Sequence, residues 1–140
     1  MSRETVEIVR RALELLRASY ASGAAEQGLL ELCAPDVRID ASRRVFNPDV
    51  YEGREGVERS IRDTCEAWED FHDTVERVID AGERVALIQT IAGRGRASKA
   101  LVQLEGAIVW TVRNGLIELV EVFVDADEAL DALGPDATRA

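Results

Sequence analysis

The chain has 140 residues, of which 46% are hydrophobic and 31% charged, enough for one domain with a real core and a polar surface. Its net charge of −10 argues against a nucleic-acid-binding protein and against docking on anionic membranes, because both need clustered Lys and Arg. No stretch reaches the roughly 18 apolar residues of a membrane helix, and the charged N-terminus lacks the apolar core of a signal peptide, so a cytoplasmic location is expected.

The N-terminal third predicts two helices and a strand. Apolar residues share one stripe over about Glu4–Ala21, which predicts a first helix that ends at Ser22-Gly23. A second, short helix is expected over roughly Ala25–Cys33, and Pro35-Asp36 then predicts a turn. Val37–Asp40 alternates between apolar and polar residues and predicts the first strand.

The middle of the chain predicts a long loop and a third helix. Residues Ala41–Glu52 are polar, and loops of this length in a small domain are often functional lids. The third helix is expected over about Arg54–Asp70, with Trp68 on its inward stripe. Cys33 and Cys65 both fall in helical patterns without metal-ligand spacing, which predicts buried, reduced thiols.

The second half predicts an antiparallel sheet and a short helix. The expected strands are Asp73–Asp80, Val85–Ala92, Leu101–Val112 and Leu116–Val124. Asn114-Gly115 is a strong hairpin signal, and Asp125 is the expected N-cap of a last helix that Gly134-Pro135 ends. These elements predict one domain over residues 1–134 and a short disordered tail over 135–140.

Several strands are apolar on both faces, which predicts that both faces of the sheet are covered. In Gly115–Val124, Leu119 and Phe123 lie on one face, while Val120 and Val122 lie on the other. Helices cover one face. A second subunit is the simplest cover for the other, so a homodimer is expected.

Three segments together resemble SnoaL-like proteins of the nuclear transport factor 2-like and ketosteroid isomerase-like superfamily, over about residues 5–134. They are Tyr51–Val57, Gly93–Gly95 with Ser98, and Trp110–Gly115 followed by Phe123–Leu130. The resemblance implies an α+β fold in which a curved, mostly antiparallel sheet wraps N-terminal helices into a cone around a pocket. The superfamily holds isomerases, hydrolases, cyclases, dehydratases and non-catalytic binders, so activity depends on the site.

The resemblance implies one catalytic candidate. Asp40 falls where steroid isomerase relatives place a general base, and a carboxylate in an apolar cone has a raised pKa that suits proton transfer next to a carbonyl. The oxyanion-clamp positions of those relatives fall near Leu16 and Val109, which are both apolar. The last aspartate of the limonene epoxide hydrolase motif falls near Val122, beside Glu121. Alternatively, Asp40 is a strand-end aspartate that binds the adjoining loop or a nearby arginine.

No histidine stands where polyketide cyclase relatives use one. The only histidine, His72, lies at the end of the third predicted helix and is expected at the surface.

Four residues are candidates for binding a ligand. Tyr20 and Trp68 either line the pocket or belong to the core, and Tyr51 either closes the pocket mouth or packs its loop against the third helix. Thr90 is expected to share a pocket-lining face with Ile88 and Ala92. Four further strand residues are compatible with either the cone or the dimer face: Gln89, Gln103, Glu105 and Trp110.

These features predict a pocket protein for a small apolar metabolite. If it is an enzyme, the expected chemistry is cofactor-free isomerisation or aldol-type cyclisation with Asp40 as the base. The alternative is a non-catalytic ligand carrier or dimerisation module. No cofactor is expected, and no metal site, because no pair of His, Cys or carboxylate residues has ligand spacing. Neither nucleic acid nor a membrane is an expected partner.

Overall fold

The structure, a computed structural model, describes residues 2–134 and 138–139. In chain order the elements are α1 (Ser2–Ser22), α2 (Gln27–Leu32), β1 (Cys33–Asp40), β2 (Val50–Glu52), α3 (Gly53–Ala67), β3 (Trp68–Ala81), β4 (Arg84–Gly95), β5 (Leu101–Arg113), β6 (Leu116–Phe123), α4 (Ala126–Leu133) and β7 (Thr138–Arg139). Among the helices of this described part, none is long and apolar enough to cross a membrane.

The strands form one sheet in the order β2-β1-β6-β5-β4-β3-β7. Strands β1 and β6 are parallel, and the other neighbours are antiparallel. Register shifts interrupt β1, β3 and the β5–β6 ladder, and such bulges bend and twist a sheet. The α+β fold with a curved, mostly antiparallel sheet around N-terminal helices is therefore confirmed.

The local signals at the C-terminal hairpin and helix act as predicted. Asn114 and Gly115 have φ angles of 53° and 75°, the positive values that a two-residue hairpin turn of type I′ requires. Asp125 is the N-cap of α4, and its carboxylate accepts a 2.8 Å hydrogen bond from the backbone N–H of Asp127. Gly134, with φ of 85°, ends this helix.

The region around Pro35 differs from the prediction. Cys33 is the first residue of β1 and not the end of a helix, and Pro35 lies inside that strand and not in a turn. Pro35 is tolerated because the pairing of β1 with β6 shifts register between Cys33 and Arg38, so its missing N–H breaks no regular ladder bond. The predicted loop also ends earlier, because Val50–Glu52 pair with β1 as β2.

The third helix is shorter than predicted, and β3 is correspondingly longer. The helix ends at Ala67, and Trp68 pairs with Gly95 as the first residue of a 14-residue strand. Trp68 is therefore not on a helical stripe, and His72 is an exposed strand residue. The helical periodicity of the sequence continues past Ala67, but the antiparallel pairing of β3 along almost the whole of β4 outweighs it.

Both faces of the sheet carry packed apolar side chains. On the concave face, α1, α2 and α3 pack against a core that includes Val9, Ile61 and Leu87. On the convex face, α4 packs against a second cluster through Ala129 and Leu133. The convex face thus has a partial cover from the chain itself, and the second subunit stays a prediction.

The C-terminal tail is described in part. Thr138 and Arg139 pair with Asp80 and Ile79 of β3. The remaining positions of the predicted disordered tail, 135–137 and 140, lie outside the described residues.

Candidate functional site

A cavity lies between the helices and one end of the concave face, and it consists of two adjoining chambers. The inner chamber, of about 140 Å³, is lined by α1, α3 and the strands, and includes Leu16, Tyr20, Tyr51 and Trp110. The outer chamber, of about 110 Å³, includes Phe46, Trp68, Leu104 and Val124. The side chains that line both chambers are Arg44, Thr64, Phe71, Gln89, Ile91, Ile108 and Val122.

The loop after β1 forms the rim of the outer chamber. Val45 and Phe46 are 69% and 44% exposed, although both are apolar and line this chamber. The ring of Phe46 meets that of Trp68 edge to face, with centroids 5.6 Å apart. The rim therefore offers apolar surface to solvent at the entrance of the cavity.

Tyr20 brings a hydroxyl to the wall of the inner chamber. It projects from α1, and its ring meets Phe71 edge to face with centroids 5.1 Å apart. Burial raises the pKa of Tyr20 to about 12, so the phenol is neutral at physiological pH.

A carboxylate, an arginine and a glutamine form a network on the inner chamber. The guanidinium of Arg17 donates from Nε and Nη2 to the two carboxylate oxygens of Asp73, at 2.8 and 2.7 Å. Gln89 donates from Nε2 to Oδ2 of Asp73 at 2.9 Å. The network joins α1, β3 and β4, and all three residues line the chamber.

Asp73 is ionised in this network. Burial by itself raises the pKa of a carboxyl group, and the side chain of Asp73 is largely buried. The hydrogen bonds from Arg17 and Gln89 and the charge of Arg17 outweigh burial, so the pKa of Asp73 lies below its ordinary value. A lowered pKa and two occupied oxygens make Asp73 a poor proton acceptor.

A second network holds the rim to α3. The hydroxyl of Tyr51 donates to Asp63 Oδ2 at 3.0 Å and accepts from Arg44 Nη2 at 3.4 Å. Arg59 lies over the ring of Tyr51, 4.3 Å from its centroid, and its guanidinium is 3.7 Å from Asp63. Arg44 also donates to the backbone oxygen of Asn47 at 2.7 Å, which fixes the loop.

Three buried polar atoms on the cavity wall have no hydrogen-bond partner among the described residues. They are Nε of Arg44, Oε1 of Gln89 and Nε1 of Trp110. Gln89 and Trp110 are each only 4% exposed. An unpaired buried polar atom costs free energy, so these two donors and one acceptor mark where a polar group on a bound molecule would be stabilised.

Three of the four predicted binding residues line the cavity. Tyr20 and Tyr51 line the inner chamber and Trp68 lines the outer one. Thr90 lies on the opposite face of β4, where its hydroxyl donates to Glu76 at 2.6 Å. The predicted register of β4 was shifted by one residue, because Gln89 and Ile91 face the cavity.

Asp40 also lies away from the cavity. Its neighbours Ile39 and Ala41 line the inner chamber, and successive strand residues point to opposite faces. Oδ1 of Asp40 accepts from the hydroxyl and the backbone N–H of Ser42, at 2.6 and 3.1 Å. Those hydrogen bonds, with the charge of Arg43, lower its pKa, so the raised pKa expected for Asp40 is wrong.

Of the four residues left open by the sequence, three line the cavity: Gln89 and Trp110 line the inner chamber, and Glu105 lines the outer one. Gln103 is exposed and lies outside both chambers. Val122 lines both chambers, so its neighbour Glu121 points away from the cavity. Val109, which falls near the position of the oxyanion-clamp acid in steroid isomerase relatives, packs in the convex cluster with α4.

In the part of the chain that the structure describes, neither the cysteines nor the carboxylates form a metal site. Cys33 and Cys65 are free thiols, and burial raises the pKa of Cys33 to about 11. Within residues 2–134 and 138–139, no group of three or more His, Cys, Asp or Glu side chains is arranged to hold a metal ion.

Several site residues gave no signal in the sequence. Arg17 and Asp73 are 56 positions apart, and only the packing of α1 on β3 brings them together. Arg44 lies in a polar loop whose composition is ordinary. Gln89 and Ile91 alternate along β4 and share one face of the strand. The sequence left open whether that face lines the cavity.

The chain belongs to the SnoaL-like domain family, because residues 9–120 match the model of that family. No curated protein gives a significant match.

Solved structures of the same fold cover nearly the whole chain. A protein from Burkholderia xenovorans LB400, described as similar to nuclear transport factor 2, is 19% identical, with a TM-score of 0.72 over 96% of this chain and 98% of that chain. A proposed SnoaL-like polyketide cyclase from Jannaschia sp. CCS1 is 19% identical, with a TM-score of 0.69 over 96% of this chain and 95% of that chain. A Catenulispora acidiphila protein with a ketosteroid isomerase-like fold, in complex with trimethylamine, is 19% identical, with a TM-score of 0.64 over 86% of this chain and 92% of that chain.

Proposed function

We propose that this protein binds a small, largely apolar molecule in the two-chamber cavity. The observation that carries the proposal is the composition of the wall, which is mostly apolar with a few polar groups. Ile91, Ile108 and Val122 line both chambers, and the unpaired atoms of Arg44 and Gln89 lie among them. Ligand sites in proteins typically combine an apolar wall with a few polar groups that orient the ligand.

The size of the cavity and the fold support the same proposal. An apolar cavity of about 150 Å³ accepts benzene, so each chamber has roughly the volume for one small ring. The Catenulispora protein with the same fold holds trimethylamine, a molecule smaller than one ring. A molecule of one or two rings would therefore suit this cavity.

The experiment compares two substitutions on one strand. Phenylalanine at Ile91 would fill the junction of the chambers, whereas phenylalanine at Thr90 would point away from the cavity. We expect wild type to shift the emission of the neutral two-ring probe 1-naphthylamine to shorter wavelength, I91F to lose most of this shift, and T90F to retain it. Circular dichroism controls for folding. Equal binding by I91F and wild type would place the probe elsewhere and contradict the proposal.

The second candidate is cofactor-free isomerisation or cyclisation by proton transfer. Asp73 favours it, since this carboxylate lies on the wall of the inner chamber and is ionised. The likeness to the proposed polyketide cyclase from Jannaschia agrees with this candidate. The two occupied oxygens of Asp73 weigh against it, so ligand binding without catalysis is our first proposal.

Two aspartate variants separate these candidates once any turnover is found. If Asp73 is the base, D73N should lose turnover while it still binds the molecule. If Asp40 is the base, as the resemblance implied, D40N should do so instead. Turnover that survives both substitutions would exclude both carboxylates from the reaction.

A further inference from the structure

The carboxamide of Gln89 is held in one orientation, and this defines what the cavity presents to a ligand. Its Nε2 donates to Asp73, which itself accepts hydrogen bonds from Nε and Nη2 of Arg17. A flipped amide would place Oε1 against the carboxylate, and two acceptors facing each other repel. Oε1 is therefore fixed as a buried acceptor without a partner among the described residues.

A donor accompanies this acceptor at the junction of the two chambers. Arg44 and Gln89 are both among the side chains that line both chambers, and Nε of Arg44 is buried and unpaired. The other end of the Arg44 guanidinium is anchored on Asn47 and Tyr51. One donor and one acceptor on the wall shared by the two chambers match a hydroxyl group, which donates one hydrogen bond and accepts another.

The surroundings favour an aromatic ring on that hydroxyl. Phe46, Trp68 and Phe71 form a continuous row of rings along the outer chamber, with neighbouring centroids 5.6 and 6.3 Å apart. Flat rings pack well against such edges and faces. The chamber volume of about 110 Å³ suits a single ring.

The ligand should be neutral when bound. An ionised oxygen has no proton to give to Oε1 of Gln89, so a phenolate would set two acceptors against each other. The net charge of −10 also repels anions that approach the protein.

We infer that the cavity binds a neutral phenol, whose ring lies in the outer chamber and whose hydroxyl donates to Gln89 Oε1 and accepts from Arg44 Nε. This inference rests on the proposed function, because it names the class of molecule that the same cavity takes. It makes Gln89 and Arg44 the residues that determine specificity.

The test uses three ligands of nearly equal shape in calorimetric titrations of the wild-type protein. The hydroxyl of para-ethylphenol can donate and accept, the ether of para-ethylanisole can only accept, and para-ethyltoluene can do neither. We expect para-ethylphenol to bind about tenfold more tightly than para-ethylanisole, because the ether leaves Oε1 of Gln89 unpaired. Para-ethyltoluene should bind no better than para-ethylanisole.

A matched pair of variants assigns the preference to its residue. Q89M removes the acceptor and should abolish the preference for the phenol, measured as the ratio of its affinity to that of the ether. Q103M makes the same change at an exposed glutamine of β5 and should keep the preference. Circular dichroism of both variants controls for folding.

The outcomes distinguish this inference from the proposed function. Equal affinities for the phenol and the ether, or a preference that survives in Q89M, would overturn the inference and leave binding in the cavity intact. If none of the three ligands binds to wild type, the proposed function fails together with the inference.

Discussion

The two faces of the sheet differ in how completely they are filled. On the convex face, small and branched side chains such as Ala86, Ile88 and Val109 pack directly against α4. On the concave face, Leu87 belongs to the core, but Gln89 and Ile91, further along the same strand, face the cavity. One strand thus changes from supporting the core to lining the pocket within a few residues, while Ala86 and Ile88 on its other face pack with α4.

Two aspartates on the two faces show how placement decides a role. Both Asp73 and Asp40 have pKa values below the ordinary aspartate value. Asp73, whose side chain is 10% exposed, is paired with Arg17 from another element and orients Gln89 toward the cavity. Asp40, 20% exposed, binds Ser42 two residues away and ends a strand. Only the first is placed to act on a ligand.

Removing a core side chain should give the largest effect on stability. Leu87 is 1% exposed in the packed core, so L87A should lower the free energy of unfolding by about 3 kcal/mol. I91A should cost less than about half of that, because Ile91 already borders a cavity and loses fewer contacts. Urea unfolding measures both. Equal losses of unfolding free energy in L87A and I91A would mean that the cavity is packed in solution, and would contradict the difference between core and cavity residues along β4.

Neutralising Asp73 should have the next largest effect and should change the acid response. D73N removes the ion pair with Arg17, and we expect a loss of about 2 kcal/mol at pH 7. Because the pKa of Asp73 is lowered by folding, its ionised form stabilises the protein above the unfolded pKa, and this stabilisation is lost as pH falls through the folded pKa. The variant should therefore lose less stability than wild type between about pH 7 and about pH 3.

Asp40 provides the control for this experiment. Folding also lowers the pKa of Asp40, but its partner Ser42 lies in the same short turn, so D40N should change both the stability and its pH dependence less than D73N. Urea unfolding across the same pH range measures both variants. If D40N changed the pH dependence of the free energy of unfolding more than D73N does, the contrast between the two aspartates would be contradicted.

Removing the N-cap of α4 should give the smallest effect and should concern the convex face alone. D125A deletes the hydrogen bond to the N–H of Asp127 and should cost about 1 kcal/mol in urea unfolding. Binding of the naphthylamine probe should stay within about twofold of wild type, because α4 packs on the face opposite the cavity. A marked loss of probe binding would show that the two faces are coupled.

Most of the fold could be predicted from local patterns. The stripe of α1, the Asn114-Gly115 turn and the Asp125 cap are each set by neighbours in the sequence, and each is present. The errors fell where pairing between distant segments decides. Trp68 follows a helical pattern but pairs with Gly95, and Pro35 lies in β1 although proline usually interrupts strands.

The candidate site was less predictable than the fold. The sequence made Tyr20, Tyr51 and Trp68 candidates for the pocket or for packing, and all three line the cavity. It placed Thr90 and Asp40 on the wrong face, because a shift of one residue in a strand reverses every side chain. A strand that is apolar on both faces carries no signal for its own register.

The sequence by itself determined the order of the helices and of all strands except β2 and β7, because helix stripes, turn residues and caps depend on near neighbours. Three of its segments carried the resemblance to the family. The tertiary structure decided which strand residues face the hollow, how Arg17 meets Asp73 and Gln89, and that Arg44 reaches the junction of the chambers. These contacts join residues that are far apart in the chain, and the curvature and register of the sheet bring them together.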